Sequence, residues 1–200
     1  MGQELISGAG NKIPAFVNNN GRLLSSSIVT SENLQATKLG DSYNINTKYV
    51  TLTDAAQTPL LYLKNNETQD LHIVTIVVGT RKATSGDDTG FDILIERNPT
   101  AGTIVSSPVA VSINSNRNYG SAKTLTVDAY VGATGKTMTG GTEHVFVYQS
   151  ANGRVAIPID EVLPKGSSIG VSFTSETGNS SQKVYVAVIC HLEDIKEGTN

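Results

Sequence analysis

From about Tyr43 to the C-terminus, apolar and polar residues alternate with period two, and clusters of Gly, Asn and Pro interrupt the alternation. That pattern predicts half-buried strands joined by turns. In the segment 91–96, Phe91, Ile93 and Ile95 share one face while Asp92 and Glu96 point to the other, because successive side chains of a strand lie on opposite sides. Leu125, Val127, Ala129 and Val131 oppose Thr124, Thr126 and Asp128 in the same way, and Ile169, Val171 and Phe173 oppose Gly170, Ser172 and Thr174. Three runs are apolar on both faces: Ile73 to Val78, Val145 to Tyr148 and Val184 to Ile189. Such strands belong in the middle of a sheet or beneath a neighbouring subunit. Further strands fit near residues 45–53, 59–65, 109–113 and 154–162, which makes about nine or ten, and helical spacing is absent.

The turn signals refine this. Asn152-Gly153 separates Val145-Phe146-Val147-Tyr148 from Val155-Ala156-Ile157 and predicts a tight hairpin with those two strands paired. Pro158 has no backbone donor, so its strand is expected at a sheet edge or bulged at that residue. Before residue 43 no period establishes itself: Gly8, Gly10, Asn18-Asn19-Asn20-Gly21 and Ser25-Ser26-Ser27 break every pattern. We read residues 1–42 as an extended, irregular N-terminal arm with Leu23, Leu24, Ile28 and Val29 as its apolar anchors, and residues 43–200 as one domain. Many short strands with regular turns predict an all-β fold, an antiparallel two-sheet sandwich of jelly-roll-like order.

Composition narrows the classes of function. Fifteen Lys and Arg against 18 Asp and Glu give a net charge of −3, which offers no electrostatic reason to bind nucleic acid or an anionic membrane. No run approaches the ~20 apolar residues of a membrane span, and no export signal is visible at the start. The Met1-Gly2 start lacks the Ser or Thr of a myristoylation signal, since Ile6 stands there. The single cysteine excludes an internal disulfide and a multi-cysteine zinc site. Cys190 continues the face of Val184, Val186 and Val188, so it reads as a small buried hydrophobe.

Motifs that resemble chemistry fail on context. Gly135-Lys136-Thr137 ends like a phosphate-binding loop, but the first glycine of that motif is replaced by Tyr130 and no helix follows. Gly166-Ser167-Ser168-Ile169-Gly170 matches a nucleophile elbow, yet a strand follows it and His191 precedes Asp194, the wrong order for that fold. Asp88-Thr89-Gly90 has the residues of an aspartic protease signature but is approached through the polar loop Ser85-Gly86-Asp87. Asp87, Asp88 and Asp92 lack the regular ligand spacing of a calcium loop. His72, His144 and His191 fall in three separate strands with no metal-ligand spacing, and read as strand histidines near an interface. The sequence therefore assigns no catalytic, cofactor-binding or metal-binding residue and no enzymatic activity.

Four segments carry a resemblance: Leu71-His72-Ile73-Val74-Thr75-Ile76, Asn116-Arg117-Asn118-Tyr119-Gly120-Ser121, Thr137-Met138-Thr139-Gly140-Gly141 and Val184-Tyr185-Val186-Ala187-Val188. Across roughly residues 55–193 the chain resembles β-sandwich virion structural proteins of tailed bacteriophages. The resemblance implies a non-enzymatic decoration or cement protein of the capsid, or a head-fibre or collar component, assembled into virions in the host cytoplasm. Its implied partners are the major capsid protein or other virion proteins and further copies of itself, often as a homotrimer. Tyr130, Tyr148 and Tyr185 are the contact candidates within the domain, because tyrosine combines a large apolar area with a polar tip. The alternative is a glycan- or receptor-binding sandwich of a fibre or tail, with Tyr119 or Tyr130 as the stacking ring.

Overall fold

The structure is a computed structural model that describes residues 31–53, 56–81, 90–176 and 182–193 in full, and Lys82 and the short strands 4–6, 12–14, 16–17 and 23–24 by their backbone alone. The chain divides into two compact units, Met1–Ser31 and Glu32–Asn200. In the first, β1 (Glu4–Ile6) pairs with β2 (Lys12–Pro14), and β3 (Phe16–Val17) pairs with β4 (Leu23–Leu24), both antiparallel. The anchors Leu23 and Leu24 form β4, while Ile28 and Val29 lie outside the described residues.

The second unit opens with a helix that periodicity did not reveal, α1 (Glu32–Leu39), so it starts eleven residues inside the expected arm of 1–42. An eight-residue helix with a single buried side chain, Ala36, leaves no apolar stripe to read. Its ends are chemically legible: Glu32 and Lys38 oppose the helix dipole, and Gly40 at φ 80° closes it. Gly40 N–H donates to Thr37 O and Asp41 N–H to Ala36 O, the paired bonds of a Schellman stop. Asn116 and Asn118 grip the same end, and Arg117 holds the first turn. Asn116 Nδ2 donates to Gly40 O at 2.6 Å, Asn118 Nδ2 to Lys38 O at 3.0 Å, and Arg117 Nη1 to Asn33 Oδ1 at 2.8 Å.

The strands that follow are β5 (Ser42–Asn46), β6 (Val50–Leu52), β7 (Thr58–Asn65), β8 (Leu71–Lys82) and β9 (Phe91–Arg97). After the short helix α2 (Thr103–Ser106) come β10 (Ile113–Asn116), β11 (Val127–Val131), β12 (Thr142–Gln149), β13 (Arg154–Leu163), β14 (Ser168–Ser175) and β15 (Gln182–Leu192). One sheet has the order β10-β5-β15-β8-β13, with β6 also on β15, and the other β11-β7-β14-β9-β12, every pairing antiparallel. Setting aside the short β6, and β10 and β11, inserted between β9 and β12, the eight remaining strands are shared between the sheets as in a jelly roll: first, last, third and sixth in one sheet, second, seventh, fourth and fifth in the other. The expected all-β antiparallel sandwich is the fold observed.

The core lies between the sheets. Phe91, Ile93 and Ile95 of β9 and Ile169, Val171 and Phe173 of β14 face Val184, Val186, Val188 and Cys190 of β15, all buried, and Phe91 stacks on Phe173 at 5.3 Å. Cys190 is a core residue, with burial pushing its thiol up to about 12. Pro158 meets both expectations, since β13 is an edge strand whose register shifts between Pro158 and Glu161.

Two expectations need correction. β12 and β13 do not pair: β12 joins β9 and β13 joins β8, so the Asn152-Gly153 segment crosses from one sheet to the other, with positive φ at neither residue. A turn signal marks where the chain reverses but not which strand satisfies its donors, and Thr80 takes up Gly153 through both N–H and hydroxyl contacts. The far face of β14 is not wet either. Ser172 is buried, and a Cβ at Gly170 would sit 2.3 Å from Met138 Cε, because the excursion between β9 and β12 folds back over this face.

Candidate interaction surface

The three two-faced apolar runs have three different explanations. In β15 the core side is Val184, Val186 and Val188, while Tyr185, Ala187 and Ile189 form a half-buried outer face. In β8 the ladder slips at Val74: Ile189 of β15 opposes Thr75, whereas the next residue, Cys190, opposes Ile73. The bulge reverses the parity of inward positions, so Leu71 and Ile73 before it and Ile76 and Val78 after it all reach one core. Both strands are central, as expected.

The third run is different, because β12 is an edge strand. Val145 and Val147 pack against the core, and Phe146 and Tyr148 point outward with 65% and 51% of their surface exposed. A bulge at His144 sets this register, so that Phe146 opposes Leu94 and Tyr148 opposes Asp92. The result is an apolar strip at an edge whose outer backbone row is unpaired within the described residues, the combination that pairs with or packs on another chain. Tyr148 also bonds Glu176, which with burial and nearby carboxylates raises its phenol.

Of the other contact candidates, Tyr130 stacks on Tyr62 at 5.7 Å, with its phenol raised by burial first and Asp128 second. Tyr185 meets Tyr49 edge-on at 5.2 Å, and Arg81 lies 4.4 Å over the Tyr49 ring. These two are largely engaged within the fold. Phe146, the more exposed ring on β12, was not among the candidates, although it stands between Val145 and Val147 in a run marked for burial under a neighbour.

The chemical motifs resolve into structural roles. Ser168 is buried at the start of β14 and donates its hydroxyl to Pro99 O at 2.8 Å. Lys136 donates to Thr103 O and Ser107 O at the end of α2, where a cation complements exposed carbonyls. Asp87 and Asp88 lie outside the described residues, and Asp92 sits on β9.

The histidines are not scattered. His144 on β12 joins Arg97 on β9 and Glu161 on β13: Arg97 Nη2 is 2.6 Å from Glu161 Oε1, and His144 Nε2 contacts the same oxygen. Burial pushes the Glu161 carboxyl up, yet the bonds from Arg97 and His144 outweigh it and hold it below the ordinary value. This network lies beside a cleft of about 360 Å³ lined by Arg97, Glu161 and Ser168. His72 on β8 and His191 on β15 are direct cross-strand partners on the sheet face that α1 covers, their rings 4.7 Å apart and edge-on. Burial, and then His72, lower the basicity of His191. With Glu32 of α1 they form a group whose ligand atoms lie within 4.8 Å of one another. Spacing in sequence could not show this, because the pair is created by strand register.

No family model matches the chain, and no curated protein matches it. Among solved structures it aligns with that of infectious bursal disease virus, Gt strain, at 14% identity over 92% of this chain and 48% of that one, with a TM-score of 0.14. A crystal structure of the infectious bursal disease virus VP2 subviral particle gives 14% identity over 78% and 40%, with a TM-score of 0.11. The chain thus spans less than half the length of these two. Superpositions this poor carry no argument about fold or function.

Proposed function

We propose that this chain is a non-enzymatic structural protein of a virus particle, a decoration or cement protein that holds to the capsid surface as a homo-oligomer, a trimer in the simplest arrangement. The observation that carries the reading is the outer strip of β12, where Phe146 and Tyr148 project beside Leu94 from an edge strand. An isolated sandwich gains nothing by exposing large rings on an open edge, whereas a closed symmetric assembly buries one such strip per copy. The jelly-roll order supports the reading only as a compatible scaffold, since one fold hosts many functions. Many weak copies on a repeating lattice would add up to firm attachment.

The test is the assembly state. Light scattering of the full chain across a wide concentration range should give a discrete oligomer, and the pair Phe146→Ser and Tyr148→Ser should shift it to a monomer that keeps the β-rich circular dichroism spectrum. The chain should also be found by mass spectrometry in purified phage particles and should rebind capsids stripped of it. A wild-type monomer at every concentration that does not rebind stripped capsids ends this reading. Glycan recognition has one observation in its favour, the fully exposed ring of Tyr119. Tyr130, the other candidate for that platform, is occupied by Tyr62.

A further inference from the structure

We propose that Glu32, His72 and His191 form a binding site for one divalent transition-metal ion of zinc-like preference, which fastens α1 to the sheet. The three residues come from α1, β8 and β15, and one ligand atom from each lies within 4.8 Å of the others. Two imidazoles and a carboxylate are a zinc donor set, which leaves a fourth position for water or another carboxylate. Tetrahedral coordination requires these atoms to draw closer, a rotamer adjustment open to Glu32 because its side chain is exposed.

Two further observations point to a ligand. His191 is only 3% exposed, and its Nδ1 is buried with no hydrogen-bond partner; the Nδ1 of His72 is in the same condition. Buried polar atoms are rarely left unsatisfied, so two from neighbouring rings call for a shared partner. The other nitrogen of His72, Nε2, lies 2.8 Å from Asp160 Oδ1. A carboxylate on the second nitrogen is the arrangement that fixes the tautomer and orientation of a metal-ligating histidine. Asp160 reaches this position from the β13 bulge with φ 53°, a left-handed conformation uncommon for a residue other than glycine.

The surroundings favour a cation. A cleft of about 600 Å³ opens beside His191, lined by Glu32, Asp70 and Glu193 and by Asp41, which Lys123 neutralises at 2.8 Å, and provides an entry path with a net negative lining. Glu193 Oε1 lies 3.7 Å from His72 Nδ1, too far for a hydrogen bond, and adds a negative charge beside the group. This inference stands apart from the virion reading, since it concerns the opposite sheet from β12.

The experiment uses tag-free full-length chain, stripped with a chelator and dialysed, then titrated with zinc by calorimetry and with cobalt by visible absorption. One equivalent should bind, cobalt should give the intense visible bands of a tetrahedral site, and zinc should raise the thermal midpoint in proportion to the logarithm of its concentration. Glu32→Gln should weaken binding at least about ten-fold and Asp160→Asn by about 10–100-fold, the range for partners of a metal-bound histidine. Both residues are solvent-exposed, so the metal-free variants should keep the wild-type midpoint. His144→Gln, which alters a histidine outside the group, should leave binding unchanged. Absence of stoichiometric binding to folded wild-type protein overturns the proposal, as does full affinity in the double variant Glu32→Gln with His72→Gln.

Discussion

At the scale of single residues, the clearest energetic consequence sits at Glu161. Its carboxyl is held below the ordinary value in the folded chain by Arg97 and His144. The unfolded chain therefore binds more protons than the folded one as pH falls past about 4.5, and stability drops with it. The contribution is fully present above the unfolded pKa and disappears as pH falls through the folded one. Urea unfolding across the acid range should show a slope in this window that Glu161→Gln flattens; an identical slope in the variant would remove Glu161 as its cause. The inward positions of β9, β14 and β15 and the fate of Cys190 were legible in the sequence, because core-facing side chains recur at every second residue along an unbulged strand. The partners of Glu161, His72 and His191 were not, because each comes from a strand distant in sequence.

At the scale of elements, Asn65 at the end of β7 ties strands of opposite sheets together. It is fully buried, donates through Nδ2 to Gln69 O and Leu163 O at 2.9 Å each, and accepts from Glu67 N–H at 2.9 Å. Asn65→Leu removes the side-chain partner of two carbonyls and an amide, the bond to Leu163 O fully buried and the other two partly so, and should cost about 2 kcal/mol. A lowered urea midpoint at an unchanged slope is the expected signature, and a loss under about 1 kcal/mol would mean that water reaches these groups. Bulges explain most of what pattern reading missed among the elements. Val74 makes β8 look apolar on both faces, and His144 sets which residues of β12 face outward. An extra residue reverses the parity of everything beyond it, and nothing in the composition of those segments announces it. The helix α1 escaped for a simpler reason, since one buried residue makes no stripe.

At the scale of the whole molecule, the jelly roll pairs β5, near the start of the sandwich, with β15 at its end. The loop between them must close before that pairing stabilises anything, so folding is expected to be slow, roughly milliseconds to seconds or longer. Stopped-flow refolding followed by tyrosine fluorescence, the chain having no tryptophan, should show this; microsecond folding would contradict it. Period-two alternation by itself determined that the chain would be extended strands around a dry interior, because a strand can bury one face only if its side chains alternate. The sequence also placed Pro158 at an edge or a bulge, because a missing donor is a property of the residue. Tertiary structure alone decided which strands are neighbours, that Asn152-Gly153 crosses between sheets, that Phe146 and Tyr148 stand outside, and that two histidines meet beneath a helix. Those outcomes depend on register and sheet order, which are set by the packing of all the strands together and are written in no single segment.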